Sequence, residues 1–407
     1  MKPPRYKVDS INKSCITCIT TEYLLNHQLK KANTMNVKSF NPPRRILMGP
    51  GPSDISPEVL SALSRPVIGH LDPLFIGMMD ETKALLQYAF QTKNEFTIAL
   101  SAPGSAGMEA CFVNLVETGD KVIVCRNGVF GDRMVQNVTR IGGEAIIVDS
   151  PWGRAVEVDK VEQALKANPD AKFLAFVHAE TSTGAVSDAK ALCKLAQQHN
   201  CLSIVDAVTS LGGIELRVDE WGIDAIYSGS QKCLSCVPGL SPLSFSEKAV
   251  NIVKNRKSLI QSWFLDQSLV MSYWSGEGKR SYHHTAPVNS LYSLHESLVQ
   301  LQNEGLENAW ARHQSQHETL AKGLEKLGIE FIVPKEERLP QLNAIYIPEG
   351  IDDVKVRSYL LNHYNLEIGS GLGDLAGKAW RIGLMGYAAR SENVALCLAA
   401  LEDALKQ

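Results

Sequence analysis

A chain of 407 residues with 41 Lys and Arg against 44 Asp and Glu has a formal charge of −3, which lacks the basic surplus expected of a nucleic-acid-binding protein. With 44% hydrophobic and 21% charged residues it has the composition of an ordinary globular protein, long enough for two or three domains, and no apolar run nears the roughly 20 residues that a membrane-crossing helix needs. Nine scattered cysteines without framework spacing read as reduced thiols and suggest a cytoplasmic protein.

Residues 1–45 differ from the rest, with nine Lys or Arg against only Asp9 and Glu22 and little periodicity. Three readings compete: a flexible arm, an organelle-targeting segment, or sequence upstream of a later start at Met35. The segment is neither Arg-rich nor free of acids, which favours the arm or the later start over targeting. From residue 96 short apolar runs alternate with helix-length amphipathic stretches. The candidate strands are 96–100, 121–125, 145–148, 173–178, 202–206, 224–227 and 242–245, with helices such as 105–117 and 129–141 between them. Continuous apolar strands alternating with helices predict an α/β fold: a mainly parallel seven-stranded sheet sandwiched by helices. Residues 287–326 read as one long helix. Strands at 330–333, 341–347 and 380–384, with helices starting at Asp352 and Ser391, then suggest a smaller C-terminal α+β domain. The expected division is an extension over 1–45, a large domain over 46–290, and a long helix plus small domain over 291–407.

Polar residues collect just past the C-terminal ends of the strands, at 101–107, 180–184, Asp206 and 228–232. In open α/β sheets that edge is where ligands bind. Lys232 closes the turn Ser228-Gly229-Ser230-Gln231-Lys232. A lone lysine is usually a surface residue, and its company is what distinguishes this one. Asp206 ends an apolar strand, so it either caps the next turn or holds a buried cation. The small residues Pro103, Gly104 and Ser105 stand at a helix start, where free N–H groups and the helix dipole suit a phosphate; as readily, they form an ordinary strand-to-helix turn. No Gly-Lys-Ser/Thr ending follows, so this is not a nucleotide-triphosphate loop. Phe130 is either a core aromatic or a flat lid on a ring. Arg381, inside an apolar run, either pairs with an internal acid or forks a substrate carboxylate. The glycine-rich stretch 369–377 has the wrong spacing for a dinucleotide fingerprint and reads as a flexible loop. Cys15/Cys18 and Cys233/Cys236 have CxxC spacing but no partner histidines, which favours plain thiols over zinc. His313 and His317, without an intervening acid, read as a solvated helix face.

Taken together, Met48-Gly49-Pro50-Gly51-Pro52, Glu180-Thr181-Ser182-Thr183-Gly184, Val205-Asp206, Ser228 to Lys232, Tyr282-His283-His284-Thr285 and Trp380-Arg381-Ile382-Gly383 resemble the class V aminotransferases. Within that group the chain resembles the alanine–glyoxylate / serine–pyruvate family, from about residue 45 to the C-terminus. The resemblance implies a fold-type I enzyme dependent on pyridoxal 5'-phosphate and active as a homodimer. By it, Lys232 would carry the cofactor and Asp206 would hold its pyridine nitrogen. Ser182 would bond near the ring hydroxyl and the substrate, and Phe130 would stack on the ring. Pro103, Gly104, Ser105 and Gln231 would hold the phosphate, joined by Tyr282 and Thr285 of the neighbouring subunit. Arg381 would bind the substrate carboxylate, and Gly51 would lie in a substrate-contact loop. Phe130 departs from family members that stack a Trp, and Pro103 and Ser105 depart from other phosphate loops, which weakens any transfer of substrate preference.

The implied reaction moves an amino group from a small amino acid, alanine or serine, to a 2-oxo acid, glyoxylate or pyruvate, by ping-pong kinetics with Lys232 as general base. Other class V chemistries compete, namely aminophosphonate or kynurenine-type transamination and, with only Cys233 beside the key lysine, cysteine desulfuration. More distant rivals are a non-catalytic cofactor carrier and a nicotinamide dehydrogenase.

Overall fold

Apolar runs of three to six residues, each too short for a helix, line up as the central sheet. In chain order its strands are β1 (Phe96–Leu100), β2 (Lys121–Arg126), β3 (Glu144–Asp149), β4 (Phe173–Val177), β5 (Leu202–Asp206), β6 (Ala225–Tyr227) and β7 (Ser241–Phe245). They lie in the spatial order β1-β7-β6-β5-β4-β2-β3. Only β7 runs against its neighbours, pairing antiparallel with both β1 and β6. The sheet is therefore mainly parallel and seven-stranded, as the alternation of strands and helices predicts. Every residue of β1, β4 and β7 is buried, because helices cover both faces. Two of those helices matter below: α1 (Gly104–Leu115) follows β1 and α2 (Val129–Ile141) follows β2.

The computed structural model describes residues 37–274 and 280–407. Cys15, Cys18 and nearly all of the basic extension lie outside the described residues. Residues 37–44 carry no helix or strand, and Arg45–Gln407 forms one unit. Among the described residues no helix is long and apolar enough to cross a membrane.

The single helix expected at 287–326 is two, α3 (Val288–Glu304) and α4 (Leu306–Lys326). Gly305 parts them at φ 85°, a conformation that costs glycine little. The solvated face expected for His313 and His317 is also corrected, since both are buried. They continue the stripe Leu306, Ala309, Leu320 and Leu324, whose spacing of three and four residues marks the inward face of α4. His313 is fully satisfied there: Nδ1 bonds the Ala309 carbonyl at 2.6 Å, and Nε2 accepts the Gly386 N–H at 2.9 Å.

A second, antiparallel sheet follows, built from β8 (Leu342–Tyr346), β9 (Gly369–Ser370) and β10 (Ala379–Gly383) in the order β8-β10-β9. The strand expected at 330–333 is only a bridge between Phe331 and Ile345. The glycine-rich stretch is not the plain loop expected either. It opens as β9 against Arg381 and Trp380, and Gly371 N–H bonds the Ala379 carbonyl. The final helix, α5 (Ser391–Ala404), packs into the core of this sheet.

Residues near the start of the unit belong to that second core. Ile46 and Leu47 pair with Leu366 and Glu367, and Met48 is buried among Trp380, Ile382 and Leu384. Gly383 N–H bonds the Met48 carbonyl at 2.7 Å, and a Cβ on Gly383 would lie 2.0 Å from the Gly49 oxygen. The chain thus threads from the second core toward the ends of the large sheet. Leu339 N–H to the Gly184 carbonyl and Gln341 Nε2 to the Thr209 carbonyl tie the segment before β8 to the same ends.

Candidate active site

The sheet order sets the site. From β2 the chain crosses outward to β3, whereas from β4 it crosses the other way to β5, so the loops after β2 and β4 face each other across a topological switch point. Phe130 stands in the first turn of α2, just past the first of these loops, and Ser182 past the second strand, with Asp206 and Tyr227 at the ends of the next strands along.

Lys232 reaches this edge from the turn after β6. Ser228 and Ser230 donate backbone N–H bonds to Pro242 and Leu240. Ser53 then fastens the end of the turn, its N–H on the Gln231 carbonyl at 2.9 Å and its hydroxyl on the Lys232 carbonyl at 2.7 Å. The Lys232 ammonium donates to the Pro50 carbonyl. Gly51, at φ 108°, leaves room for it: a Cβ there would sit 2.5 Å from Nζ. The lysine is 8% exposed, and its pKa is lowered to about 8, first by burial and then by the Arg381 charge.

Asp206 is buried at the end of β5, directly opposite Tyr227 in the ladder. Its Oδ2 accepts the Tyr227 hydroxyl at 2.8 Å and its Oδ1 the Val208 N–H at 2.8 Å. Burial pushes its pKa up to about 7 despite these donors and despite Lys232, while the Glu180 charge adds to the rise. Among the described residues this carboxyl has no cation in contact, and it would be held ionised by one.

Gly104 brings three segments together. A Cβ on it would meet Val208 Cγ2 at 3.2 Å and the Ser228 oxygen at 3.3 Å, so the start of α1 touches both the turn after β5 and the turn bearing Lys232. The Pro103 carbonyl accepts from Ala106 and Gly107, whereas the N–H groups of Gly104 and Ser105 find no partner among the described residues. Gln231 adjoins them, its buried Oε1 without a hydrogen bond. An unfilled helix start beside a free amide side chain can hold a phosphate.

Across the switch point, Ser182 Oγ lies 2.6 Å from Glu180 Oε1 and accepts the Val129 N–H at 3.1 Å. The Phe130 ring is half-buried against the large core, with the Arg133 guanidinium 4.8 Å from its centroid. Arg381 enters from β10. Its Nε donates to the Ser370 carbonyl at 2.8 Å and its Nη1 to the Thr181 carbonyl at 3.1 Å. It is 6% exposed, and among the described residues no carboxylate lies within ion-pair distance. Burial lowers its pKa to about 10, opposed by the Glu180 charge, so it stays cationic at neutral pH. A buried guanidinium held by two carbonyls can fork an incoming carboxylate.

The structure does not bring Tyr282 and Thr285 to Lys232 within this chain. Both are exposed, with their hydroxyls 3.4 Å apart. Their neighbour His284 does connect inward, its Nε2 2.7 Å from the Ser101 hydroxyl at the start of the α1 loop. Four contributors were missed by sequence reasoning. Tyr227 depends on ladder register, Ser53 and Pro50 depend on a distant segment, and Glu180 was read only as part of a polar cluster. Cys233 and Cys236 are buried free thiols that point at Thr209 and Ser293.

Comparison with known proteins bears on this arrangement. The model of the family described as aminotransferase class-V matches residues 58–392. Alanine–glyoxylate aminotransferase of Rattus norvegicus is 40% identical over 371 residues, which is 91% of this chain and 89% of that protein. The (S)-ureidoglycine–glyoxylate transaminase of Bacillus subtilis is 37% identical over 382 residues, 89% of this chain and 91% of that one. The crystal structure of alanine–glyoxylate aminotransferase from Nostoc sp. superposes with a TM-score of 0.89 at 43% identity, covering 92% of this chain and 99% of that chain.

Proposed function

The chain belongs to the aminotransferase class-V family, and from that premise we propose that residues 206, 232 and 381 run a pyridoxal 5'-phosphate transamination between alanine or serine and glyoxylate or pyruvate. The chain is a transaminase with the fold-type I architecture. Glyoxylate is the preferred acceptor in this reading because it is named for both curated relatives quoted above. Pyridoxal phosphate, when bound, supplies an electron sink for the α-carbon and carries the amino group between half-reactions.

The residues fit that group. Gly104 and Ser105 offer unfilled N–H donors for a phosphate, aided by Pro103, which leaves the helix start free, and Gln231 would turn its amide nitrogen toward it. Asp206, starved of a cation, would hold a protonated ring nitrogen. Phe130 and Ser182 would flank the ring. Lys232 Nζ, its pKa lowered to about 8, would be neutral often enough to hold the group covalently and to take the substrate α-proton. Arg381 would orient the substrate carboxylate, and Gly51 keeps the approach to Nζ clear. Tyr282, 62% exposed and next in the chain to His283, on which the exposed Trp263 stacks, supports a homodimer in which Tyr282 and Thr285 complete the partner's phosphate site.

The observation that carries the reading is a buried lysine and a buried aspartate on one sheet edge, with an arginine that makes no ion pair among the described residues. It is tested by mixing holoenzyme with alanine, serine or (S)-ureidoglycine alone. Loss of the visible cofactor band, restored by glyoxylate, is expected for the true donor. Lys232→Ala should lose the band and at least about a thousandfold in turnover, as removal of a covalent catalyst does. Parent-like turnover in that variant would sink the reading.

A further inference from the structure

Helix α2, which carries Phe130, begins at Gly128 and has no cap from its own sequence. Its first amides must find acceptors elsewhere. They find them on the turn after β4. Ser182 Oγ accepts the Val129 N–H at 3.1 Å, and Glu180 Oε2 accepts the Phe130 N–H at 3.3 Å. The other oxygen, Oε1, accepts the Ser182 N–H at 3.0 Å and the Ser182 hydroxyl at 2.6 Å. Ser182 Oγ already accepts from Val129, so its one proton goes to Glu180.

Three donors thus converge on a side chain that is 0% exposed, and among the described residues no acceptor bonds to it. A protonated acid would have to aim its O–H at one of those donors, so the pattern calls for the ionised form. The positive end of α2 favours the same form. Burial works against it and raises the pKa, opposed by the bonds from Ser182 and Phe130. Gly128 keeps the arrangement tight: a Cβ there would lie 2.5 Å from Glu180 Cγ, Glu180 Cδ and Ser182 Oγ.

We infer that Glu180 is a positioning residue whose buried carboxylate locks the Phe130-bearing turn of α2 to the Ser182 turn, fixing both groups against the cofactor as one unit. The inference rests on the cofactor reading of this site. Glu180 itself need not touch the cofactor. It sets where the flat ring stands and which way the Ser182 hydroxyl points.

The test compares the parent with Glu180→Gln and Gly128→Ala, each with and without pyridoxal phosphate. A glutamine is isosteric, but its amide nitrogen must face a donor, so at least one hydrogen bond is lost. Amide hydrogen exchange at residues 129–131 should quicken about tenfold or more in the cofactor-free protein, the loss expected for one bond to a charged acceptor. In the holoenzyme the visible circular dichroism of the bound cofactor should change and its dissociation should speed by about the same factor, with kcat falling more than the KM for the amino acid rises. Gly128→Ala leaves every charge in place and should show the same signature by displacing the carboxylate. It decides alone should Glu180→Gln not fold. Parent-like exchange at 129–131 with parent-like dichroism would overturn the inference. So would weakened cofactor binding without faster exchange, which would make Glu180 a direct contact. If the parent forms no borohydride-reducible bond at Lys232, the cofactor reading fails, yet exchange in the cofactor-free protein still decides the lock.

Discussion

At Asp206 stability and chemistry pull in opposite directions. Its folded pKa of about 7 stands above the unfolded value near 3.8, so the folded chain holds a proton that the unfolded chain has released. Between those pH values stability falls as pH rises, and above pH 7 the full cost of burying the anion remains, at most about 4 kcal/mol for three units at 1.36 kcal/mol each. Asp206→Asn removes that cost. Its amide oxygen can still accept from Val208, and its nitrogen can donate to Tyr227. In the cofactor-free protein the variant should therefore be more stable than the parent at pH 8, by about 1–3 kcal/mol, and should lose the advantage toward pH 4. Urea denaturation at both pH values reads this out. The same variant should bind pyridoxal phosphate weakly and turn over at least about a hundredfold slower, because a neutral amide cannot hold a ring nitrogen protonated. A variant less stable than the parent at pH 8 would contradict the burial argument.

Among the elements, Gly383 decides how the second sheet meets the site. A Cβ there would come within 2.0 Å of the Gly49 oxygen, a backbone atom that cannot swing aside. Gly383→Ala should push residues 48–51 off β10, moving Pro50 and Gly51 away from Lys232 while Arg381, two residues earlier on the strand, stays put. The expected result is a loss of about 1–3 kcal/mol in stability, the usual range for overpacking, together with a KM for the amino acid that rises more than cofactor affinity falls. Thermal melts and steady-state kinetics check both parts.

How far such elements were legible depends on whether the information is local. The seven strands are apolar runs with polar residues at their C-terminal ends, so the sheet, Asp206 and Lys232 could be read directly. Tyr227 could not, because nothing local tells that it stands opposite Asp206. The break at Gly305 was hidden by apolar spacing that continues through it. The buried face of His313 and His317 was present in that spacing, but the polarity of histidine outweighed it. Glu180 was quoted as part of a motif, yet its work as a cap for α2 depends on a strand and a helix some fifty positions apart in the chain.

In the molecule as a whole, acid should act through two buried histidines. His178 ends its run beside β4, its ring edge-on to Trp221 and its Nδ1 without a partner. His313 sits midway along α4, between Ala309 in the large core and Leu320 in the second. Burial is the first cause that lowers both pKa values from 6.5 to about 4, and for His313 the adjacent Arg312 charge adds to it. The unfolded chain therefore binds protons that the folded chain refuses. Stability is complete above pH 6.5 and is lost as pH falls toward 4, by about 3 kcal/mol per histidine. Protonating His313 would also set two N–H groups against each other at Gly386. Asp206 contributes the opposite slope over an overlapping range, but only while no cation holds it ionised. The holoenzyme should thus lose stability on acidification more steeply than the cofactor-free protein. His313→Gln should flatten the holoenzyme curve between pH 6.5 and 4.5 by up to half, and exchange of the amides near Gly386 should quicken less on acidification than in the parent. An unchanged slope in that variant, measured by urea denaturation across the range, would show that His313 is not the group that titrates.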